Sequence, residues 1–313
     1  MPRAVDLALD ALGELTGAVE VGAPIGPWTS YRLGGPADIR VEAANLSDLR
    51  SVSAAIDASG MPVLIVGRGS NMLVSDAGFR GIAIRLGEGF RWIDIADGAT
   101  LSAGAAAALP VLAQRAAEAG LAGLGFAAAI PASLGGAVRM NAGAHHHEIG
   151  EVVASIEIWR LGAARTERMT GRDADFRYRA TSLPDDAIVT SATLSLRPEE
   201  PERIRQEMEV AKSWRRETQP LNMPNGGSVF KNPLPDHAAR LIEEIVGKGE
   251  RVGGAEISQV HANFIVAHPG ARAQDVFELM GQIRNRVAEE TGIELEPEIK
   301  LIGFDRQPWE DRS

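Results

Sequence analysis

The feature that most constrains this chain is an apolar, strand-like run that ends in a glycine-bearing loop. Residues 63–66 read Val-Leu-Ile-Val, and residues 67–72 read Gly-Arg-Gly-Ser-Asn-Met. Because Gly67 and Gly69 have no side chains, the backbone can turn there so that successive N–H groups point at one anion. The pattern therefore fits a loop that holds a phosphate, although an ordinary tight turn has the same pattern.

The residues after this loop exclude one common dinucleotide site. A Rossmann turn requires a third glycine, a helix that begins at the pyrophosphate and an acidic residue about 20 positions later. Residues 73–86 instead have the pattern of two short strands with a turn between them. The sequence therefore predicts a strand-loop-strand arrangement and not strand-loop-helix.

Composition limits the class of protein. The chain has 313 residues, 45% of them hydrophobic, so it can bury large cores and we expect two or more packed units. A formal net charge of −10 argues against a general binder of nucleic acid or acidic membranes. The lack of cysteine rules out disulfides and thiolate chemistry, which is compatible with a reducing cytoplasm. Residues 1–6 show no signal-peptide core.

Hydrophobic periodicity predicts an α/β first part, a charged connecting helix and a second unit after Pro198. Residues 37–42 alternate like a strand, and Ser47 is expected to cap a helix that ends at Gly60. The uncharged stretch 121–138 contains glycines and a proline, so we interpret it as a buried loop and not as a membrane span. Further helices are predicted at 109–119, 202–217 (stripe Ile204, Met208, Ala211, Trp214), around Leu241 and around Leu279, and further strands at 152–159, 187–194 and 263–266.

Three chemically capable side chains lie far apart in the sequence. Ser228 follows two glycines and suits an acyl-transfer nucleophile or a surface turn, although it does not match the G-x-S-x-G elbow. Arg179 can grip a carboxylate or lie solvated at a strand edge. Glu298 begins an apolar strand, where half burial can keep it protonated as a hydrogen-bond donor; the alternative is an ordinary surface charge.

The run His145–His147 raises the question of a metal site. Adjacent side chains diverge in every regular structure, so three in a row seldom converge on one ion. We interpret the run as a polar loop and expect no metal.

Seven motifs of the chain resemble those of the UDP-N-acetylenolpyruvoylglucosamine reductases, also called UDP-N-acetylmuramate dehydrogenases, and they follow one another in the same order as in that family. The resemblance covers roughly residues 25 to 303, and several independent motifs agree. The motifs are Thr29–Asp38, Val66–Val74, Ile130–Ala144, Phe176–Arg179, Gly227–Pro233, His261–Val266 and Glu296–Ile299.

The resemblance implies an α+β architecture. It consists of an FAD-binding fold of the vanillyl-alcohol-oxidase type, made of two α/β subdomains, and an α/β substrate-binding domain. The expected ranges are an N-terminal helix in 1–24, the FAD-binding domain in 25–200 and the substrate-binding domain with the C-terminal strand in 201–313. The two FAD subdomains are expected at about 25–88 and 89–200.

The resemblance also implies the roles of individual residues. Arg179 and Glu298 are expected to stabilise an enolate-like state, and Ser228 to donate a proton. The expected substrate-binding residues are Tyr178, Lys231, Asn232 and Arg216. The expected FAD-binding residues are Gly67, Arg68, Gly69, Ser70, Asn71, Met72, Pro131, Ala132, Ser133, Gly135, Gly136, Ala137 and Asn141.

The implied reaction is the reduction of UDP-N-acetylglucosamine enolpyruvate to UDP-N-acetylmuramate by NADPH through FAD, in peptidoglycan precursor synthesis. We expect a cytoplasmic monomer whose partners are small molecules and not nucleic acid or membrane. Two alternatives are a flavin-dependent alcohol or sugar oxidase of the same fold and a non-catalytic flavin or nucleotide-sugar binding protein.

Some positions depart from the usual family pattern. Gly125, Ala129 and Ala132 stand where the family commonly has glutamate, glycine and glycine. Tyrosine occurs only at positions 31 and 178, so the chain resembles the subtype without a tyrosine-bearing lid insertion.

Overall fold

The computed structural model describes residues 3–96 and 98–310, so the outermost residues of both terminal segments predicted above lie outside the described part. The helices are α1 (Ala4–Leu12), α2 (Leu46–Ser59), α3 (Leu109–Glu118), α4 (Leu134–Met140), α5 (Pro201–Thr218), α6 (Ala238–Ile245) and α7 (Ala273–Thr291). The strands are β1 (Ala18–Val21), β2 (Ala37–Ala43), β3 (Val63–Ile65), β4 (Met72–Val74), β5 (Phe79–Leu86), β6 (Ile93–Ala96), β7 (Thr100–Gly104), β8 (Leu121–Ala122), β9 (Gly143–Ala144), β10 (His147–Glu148), β11 (Val153–Arg160), β12 (Arg165–Thr170), β13 (Ala187–Ser195), β14 (Arg197–Pro198), β15 (Arg251–Val252), β16 (Ala255–Ile257), β17 (Ile265–Ala267) and β18 (Lys300–Ile302).

The chain divides into two compact units that interleave in sequence. The first unit consists of the chain up to Val21, residues 39–68 and residues 81–215. The second consists of residues 22–38, residues 69–80 and the chain from Arg216 onwards. Two short internal segments therefore fold with the C-terminal part of the chain. The domain ranges that the family resemblance implies stay a prediction.

The first unit contains two larger sheets, besides the two-stranded pairs β9–β10 and β8–β14. Strands β1, β2, β5 and β3 form a four-stranded sheet in that order, in which β3 and β5 are parallel and β1 and β2 antiparallel. Helices α1 and α2 contribute Ala8, Leu12, Leu49 and Val52 to the same buried cluster as Ile39 of β2. Strands β12, β11, β13, β7 and β6 form an antiparallel five-stranded sheet, whose core also contains apolar residues of α3 and α4.

The second unit has a helical core beside short strands. Strands β15, β16 and β17 form an antiparallel sheet, and β18 pairs with β4 in parallel. The apolar stripe of α7, which includes Val276, Leu279 and Ile283, is fully buried with Leu241 of α6. Asp76 accepts the N–H groups of Ala273 and Gln274, each at 2.9 Å, and so caps the start of α7 from another part of the chain.

One helix cap differs from the prediction. Helix α2 begins after Asn45, whose Oδ1 accepts the N–H of Asp48 at 3.0 Å. Ser47 lies within the helix, so its predicted role as the cap is wrong. The predicted end at Gly60 is confirmed, because Gly60 has a φ of 67° in the left-handed region.

The stretch 121–138 is largely buried, as predicted, but part of it is not loop. Ser133 caps α4, which was not predicted because two adjacent glycines disfavour a helix. Gly135 is required by packing, since a Cβ there would lie 2.8 Å from the Cβ of Ala105. None of the described helices has the length and apolar character needed to cross a bilayer. On the stripe predicted for α5, Ile204, Met208 and Ala211 are buried, whereas Trp214 is 45% exposed.

The cap of α2 gives a first prediction. Replacing Asn45 with Ala removes the acceptor for the Asp48 N–H and should lower the free energy of unfolding by about 1 kcal/mol. Ser47→Ala is the matched control and should change it by less than about 0.5 kcal/mol. Urea titration of both variants measures the free energy of unfolding. A larger loss of stability in the Ser47 variant than in the Asn45 variant would show that Ser47 is the cap.

Candidate active site

The loop between β3 and β4 has the local features of an anion cradle. Within the described residues, the main-chain N–H groups of Gly67 to Asn71 donate to no acceptor of the chain. Gly69 has a φ of 61°, and a Cβ there would lie 2.1 Å from the carbonyl oxygen of Trp28. No other residue fits that position without moving the backbone. Unpaired N–H groups on a glycine-held turn suit a diphosphate.

In the first unit, two glycines, Gly67 and Gly136, lie beside the hydroxyl of Ser133; we call this the Ser133 surface. A Cβ at Gly67 would lie 2.8 Å from the Oγ of Ser133 and 3.9 Å from the Cα of Gly136. The Ser133 hydroxyl in turn accepts the N–H of Gly136 at 3.4 Å. The absence of a side chain at Gly67 therefore lets the cradle loop pack directly against the Ser133 hydroxyl. Such close packing of small residues keeps main chain near the surface, where a bulky, flat or anionic cofactor can contact it.

In the segment 131–137, which was also predicted to bind the cofactor, several main-chain N–H groups already donate hydrogen bonds to carbonyl groups of the protein. The N–H groups of Leu134 and Gly135 donate to the carbonyls of Ala107 and Ala105, each at 2.9 Å. The N–H of Ala137 donates to Ser133 within α4. This segment therefore offers small size and the Ser133 hydroxyl, and few free N–H donors.

Arg179 lies at the tip of a tight turn in the first unit. Arg177 and Ala180 exchange two main-chain hydrogen bonds, of 2.9 and 3.0 Å, and Arg179 between them has a φ of 55°. Its guanidinium lies 5.2 Å from the ring centre of Tyr178 and donates to the carbonyl of Gly143 at 3.4 Å. The half-buried cation is thus held by its own turn and by the β9 segment.

The side chain of Asn141 forms a hydrogen bond with the turn that bears Arg179. It is buried, and its Nδ2 donates to the carbonyl of Arg177 at 3.0 Å and to Glu148 at 2.5 Å. Its Oδ1 accepts the N–H of Gly150 at 3.1 Å. Protein groups therefore contact both ends of the amide and hold the turn that bears Arg179. The FAD contact that the resemblance implies for Asn141 stays a prediction.

Ser228 and Glu298 come from neighbouring strand-like segments of the second unit. The N–H of Glu298 donates to the carbonyl of Val229, the residue after Ser228, at 2.8 Å. The N–H of Lys231 donates to the carbonyl of Glu296 at 2.8 Å, and Phe230 forms an isolated antiparallel bridge with Pro297. The two predicted catalytic residues are 70 positions apart in the sequence, but the segments that carry them are paired side by side.

A buried amide completes the other side of this segment. Asn263 is 3% exposed; its Oδ1 accepts the N–H of Phe230 at 3.0 Å and its Nδ2 donates to the carbonyl of Phe230 at 2.8 Å. Its own carbonyl accepts the N–H of Val229 at 2.9 Å. The side chain therefore replaces a neighbouring strand. Sequence reasoning placed Asn263 on a strand and did not identify this function.

The predicted substrate-binding residues lie in different settings. Lys231 forms an ion pair with Glu296, and its side chain is 28% exposed. The Oδ1 of Asn232 accepts the N–H of Ala238 at 3.1 Å and so supports the start of α6, which leaves its amide NH₂ group for a ligand. Tyr178 is half exposed, and Arg216 is exposed near the end of α5.

Comparisons with known proteins identify the family of the chain. The sequence model described as "FAD binding domain" matches residues 37–164, and that described as "UDP-N-acetylenolpyruvoylglucosamine reductase, C-terminal domain" matches residues 219–302. A UDP-N-acetylenolpyruvoylglucosamine reductase 2 of Symbiobacterium thermophilum is 43% identical over 295 residues, which are 94% of this chain and 94% of the relative. The chain belongs to the UDP-N-acetylenolpyruvoylglucosamine reductase family.

Further members of the family give the same result. The reductase of Bacillus licheniformis is 38% identical over 306 residues, covering 96% of this chain and all of the relative. The crystal structure of the reductase of Thermus caldophilus superposes with a TM-score of 0.79 at 34% identity, covering 92% of this chain and 100% of that one. The predicted α+β fold with an FAD-binding domain is confirmed. The protein is an FAD-dependent oxidoreductase.

The positions that depart from the reductase pattern have specific neighbours in this chain. A Cβ at Gly125 would lie 3.2 Å from Oε2 of Glu207 in α5, so a larger residue would meet that carboxylate. The carbonyl of Ala129 accepts a hydrogen bond from the guanidinium of Arg215. Burial lowers the pKa of Arg215. Sequence reasoning missed Arg215, because an arginine in the charged α5 looks like any solvated one.

The histidine run forms a hairpin turn in this reductase. His145 and His146 have φ values of 52° and 65° between β9 and β10. The ring of His145 meets that of Trp214 edge-on at 4.8 Å, and Nδ1 of His147 lies 2.8 Å from Glu151. In the described part of the chain no group of three or more His, Cys, Asp or Glu side chains has the arrangement of a metal site.

The close approach at Gly67 yields a second prediction. The Gly67→Ala variant should bind FAD about tenfold more weakly, because the new methyl would displace the Ser133 hydroxyl that packs against residue 67. Gly162→Ala is the control in the same unit, since a Cβ there meets nothing nearer than 3.4 Å. Fluorescence titration of the apoproteins with FAD measures both dissociation constants. Equal affinity in the two variants would mean that the packing of residue 67 against Ser133 does not shape the FAD site.

Proposed function

We propose that this chain reduces the enolpyruvyl group of UDP-N-acetylglucosamine enolpyruvate to give UDP-N-acetylmuramate, with NADPH as reductant, in peptidoglycan precursor synthesis. The observation that carries the proposal is the pairing of the Ser228 and Glu298 segments through the Glu298 N–H and the Val229 carbonyl. Bound FAD would supply hydride transfer from NADPH to the terminal enolpyruvyl carbon. The residues of the chain supply the proton and the electrostatic stabilisation.

Ser228 is the proposed proton donor. Addition of hydride to the terminal carbon of the double bond leaves an electron pair on the neighbouring carbon, next to the carboxylate. A serine hydroxyl is a weak acid, but such a carbanion is basic enough to take its proton. Transfer of that proton completes the saturated lactyl ether and leaves a serine alkoxide, which solvent reprotonates.

Arg179 and Glu298 are the proposed stabilisers of the enolate-like state. The guanidinium of Arg179 can pair with the substrate carboxylate in bidentate geometry, where the negative charge grows as hydride is added. A protonated Glu298 can donate one hydrogen bond to the same group. The support is that each side chain is half buried and belongs to a segment that is held by main-chain hydrogen bonds on both sides.

The diphosphate and uridine of the substrate are proposed to meet Lys231, Asn232, Arg216 and Tyr178. Lys231 and Asn232 follow Ser228 within four positions, so a ligand whose reactive end lies at the serine can extend along the same segment. An ammonium group and an amide NH₂ are suitable donors for diphosphate oxygens.

The FAD contacts are proposed at the anion cradle and around the Ser133 surface. The cradle comprises Gly67, Arg68, Gly69, Ser70, Asn71 and Met72, and the second set comprises Pro131, Ala132, Ser133, Gly135, Gly136 and Ala137. We also propose that the enzyme works in the cytoplasm, where a nucleotide sugar and NADPH are available, and that it is a monomer. Sedimentation at micromolar concentration measures the oligomeric state.

Two measurements distinguish this function from the alternatives. The purified protein should be yellow, lose its absorbance near 450 nm when NADPH is added without oxygen, and regain it with UDP-N-acetylglucosamine enolpyruvate. Recovery with oxygen and not with the enol ether would indicate the oxidase. Failure to bleach would indicate a binding protein without activity.

Ser228 provides the third prediction. In the Ser228→Ala variant, bleaching by NADPH should proceed at the wild-type rate, because that step needs no proton from serine. Recovery of colour with the enol ether should slow by roughly 10²- to 10⁴-fold, the usual effect of losing a general acid. Stopped-flow absorbance separates the two steps; a normal second step would remove Ser228 from this role.

The backbone of Arg179 provides the fourth prediction. Its φ of 55° is better tolerated by glycine, so Arg179→Gly should leave the melting temperature unchanged or higher. Loss of the guanidinium should nevertheless lower kcat by about 10²-fold or more. The Arg179→Lys variant keeps the charge without the bidentate fork and should also be slow. Full activity in the glycine variant would exclude electrostatic stabilisation by residue 179.

A further inference from the structure

We propose that Ser30 is a positioning residue that holds the loop bearing Ser228 in register with the anion cradle. The role assigned to Ser228 rests on the proposed function; the contacts of Ser30 do not. The residues that carry the argument all belong to the second unit: Ser30, Tyr31, Gly69, Asn71, Asn225, Gly226, Gly227, Ser228 and Glu298. Ser30 was not among the predicted site residues.

Ser30 contacts two loops that are distant in sequence. Its N–H donates to the carbonyl of Gly69 at 3.0 Å. Its hydroxyl donates to the carbonyl of Asn225 at 2.6 Å, and the same oxygen lies 3.3 Å from the carbonyl oxygen of Gly69. One serine thus joins the main chain of the cradle to the main chain three residues before Ser228.

The loop that Ser30 holds is itself well braced. Asn225 accepts the N–H of Gly227 through Oδ1 at 3.0 Å and donates through Nδ2 to the carbonyls of Pro220 and Met223, at 3.1 and 2.8 Å. A displacement of Asn225 must therefore move Gly227, and with it Ser228. The short hydrogen bond from Ser30 acts on this braced loop and not on a loose tip.

The neighbour of Ser30 packs against the same loop. Tyr31 is 1% exposed, and a Cβ at Gly226 would lie 2.5 Å from Cε2 of its ring. Burial raises the pKa of Tyr31, so the phenol stays neutral and acts as a packing surface. Within the described residues its hydroxyl has no partner at hydrogen-bonding geometry. Ser30 therefore supplies the hydrogen bond to this loop, and the ring of Tyr31 supplies an apolar surface against which Gly226 packs.

The cradle is also tied to Glu298, which makes the register matter for both catalytic side chains. Asn71 donates through Nδ2 to the carbonyl of Glu298 at 3.2 Å, and its own carbonyl accepts the N–H of Lys300 at 3.1 Å. The cradle thus meets the Glu298 strand through Asn71 and the Ser228 loop through Ser30. Loss of the Ser30 hydroxyl removes the hydrogen bond between Ser30 and Asn225, while Asn71 still ties the cradle to the Glu298 strand.

The test compares Ser30→Ala with Ser30→Thr, which keeps the hydroxyl. The control is Ser258→Ala. Ser258 is buried in the same unit, and its hydroxyl accepts the N–H groups of Val260 and His261 at 3.1 and 3.4 Å; within the described residues it forms no hydrogen bond with either loop. Hydrogen–deuterium exchange of residues 225–228 in the FAD-loaded proteins reports the position of the loop without any turnover. We expect exchange to rise about tenfold in Ser30→Ala only.

Stopped-flow absorbance then measures the two steps of the reaction. In Ser30→Ala the recovery of colour with the enol ether should slow about tenfold more than bleaching by NADPH, and Ser30→Thr should restore it. Exchange and rates that change no more in Ser30→Ala than in Ser258→Ala would overturn the proposal. If the wild-type protein does not recover with the enol ether, the proposed function fails, while the exchange experiment still decides the role of Ser30.

Discussion

The hydrogen bond from the Glu298 N–H to the Val229 carbonyl joins the two segments that carry the proposed chemistry of the second unit. Residues 229–231 are too short to form a stable strand by themselves, so they need partners on both edges. The segment 296–298 supplies one edge, and the side chain of Asn263 supplies the other. A buried amide that loses such partners costs about 1–3 kcal/mol for each unsatisfied group. Three motifs that are distant in sequence are therefore one structural element.

The parts of the fold that follow from local periodicity could be predicted from the sequence. The stripe of α7 and the strand β2 are visible because their apolar residues repeat every three to four or every two positions, whatever they pack against. The left-handed end of α2 at Gly60 was also visible, since glycine adopts that conformation at little cost. The start of α2 was not, because Asn45 and Ser47 are both good caps and only the path of the chain out of β2 selects between them.

The candidate site depends on contacts that no local pattern encodes. The sequence indicated Ser228, Arg179 and Glu298 as chemically capable, but resemblance to a family was needed to give them roles. Asn263, Arg215 and Ser30 act through main-chain groups 33, 86 and 195 positions away. Such a residue looks like any other asparagine, arginine or serine until the topology is known. The glycine at 226 is likewise explained only by the ring of Tyr31.

The backbone of Arg179 has a φ of 55°, a left-handed conformation that is unfavourable for any residue with a side chain. A non-glycine residue in the left-handed region costs of the order of 1 kcal/mol or more, and the surroundings must hold it there. Here the two hydrogen bonds between Arg177 and Ala180 and the buried amide of Asn141 do so. Glycine would hold the same turn with less strain. An arginine in this position is therefore explained by what its guanidinium does and not by the stability of the turn.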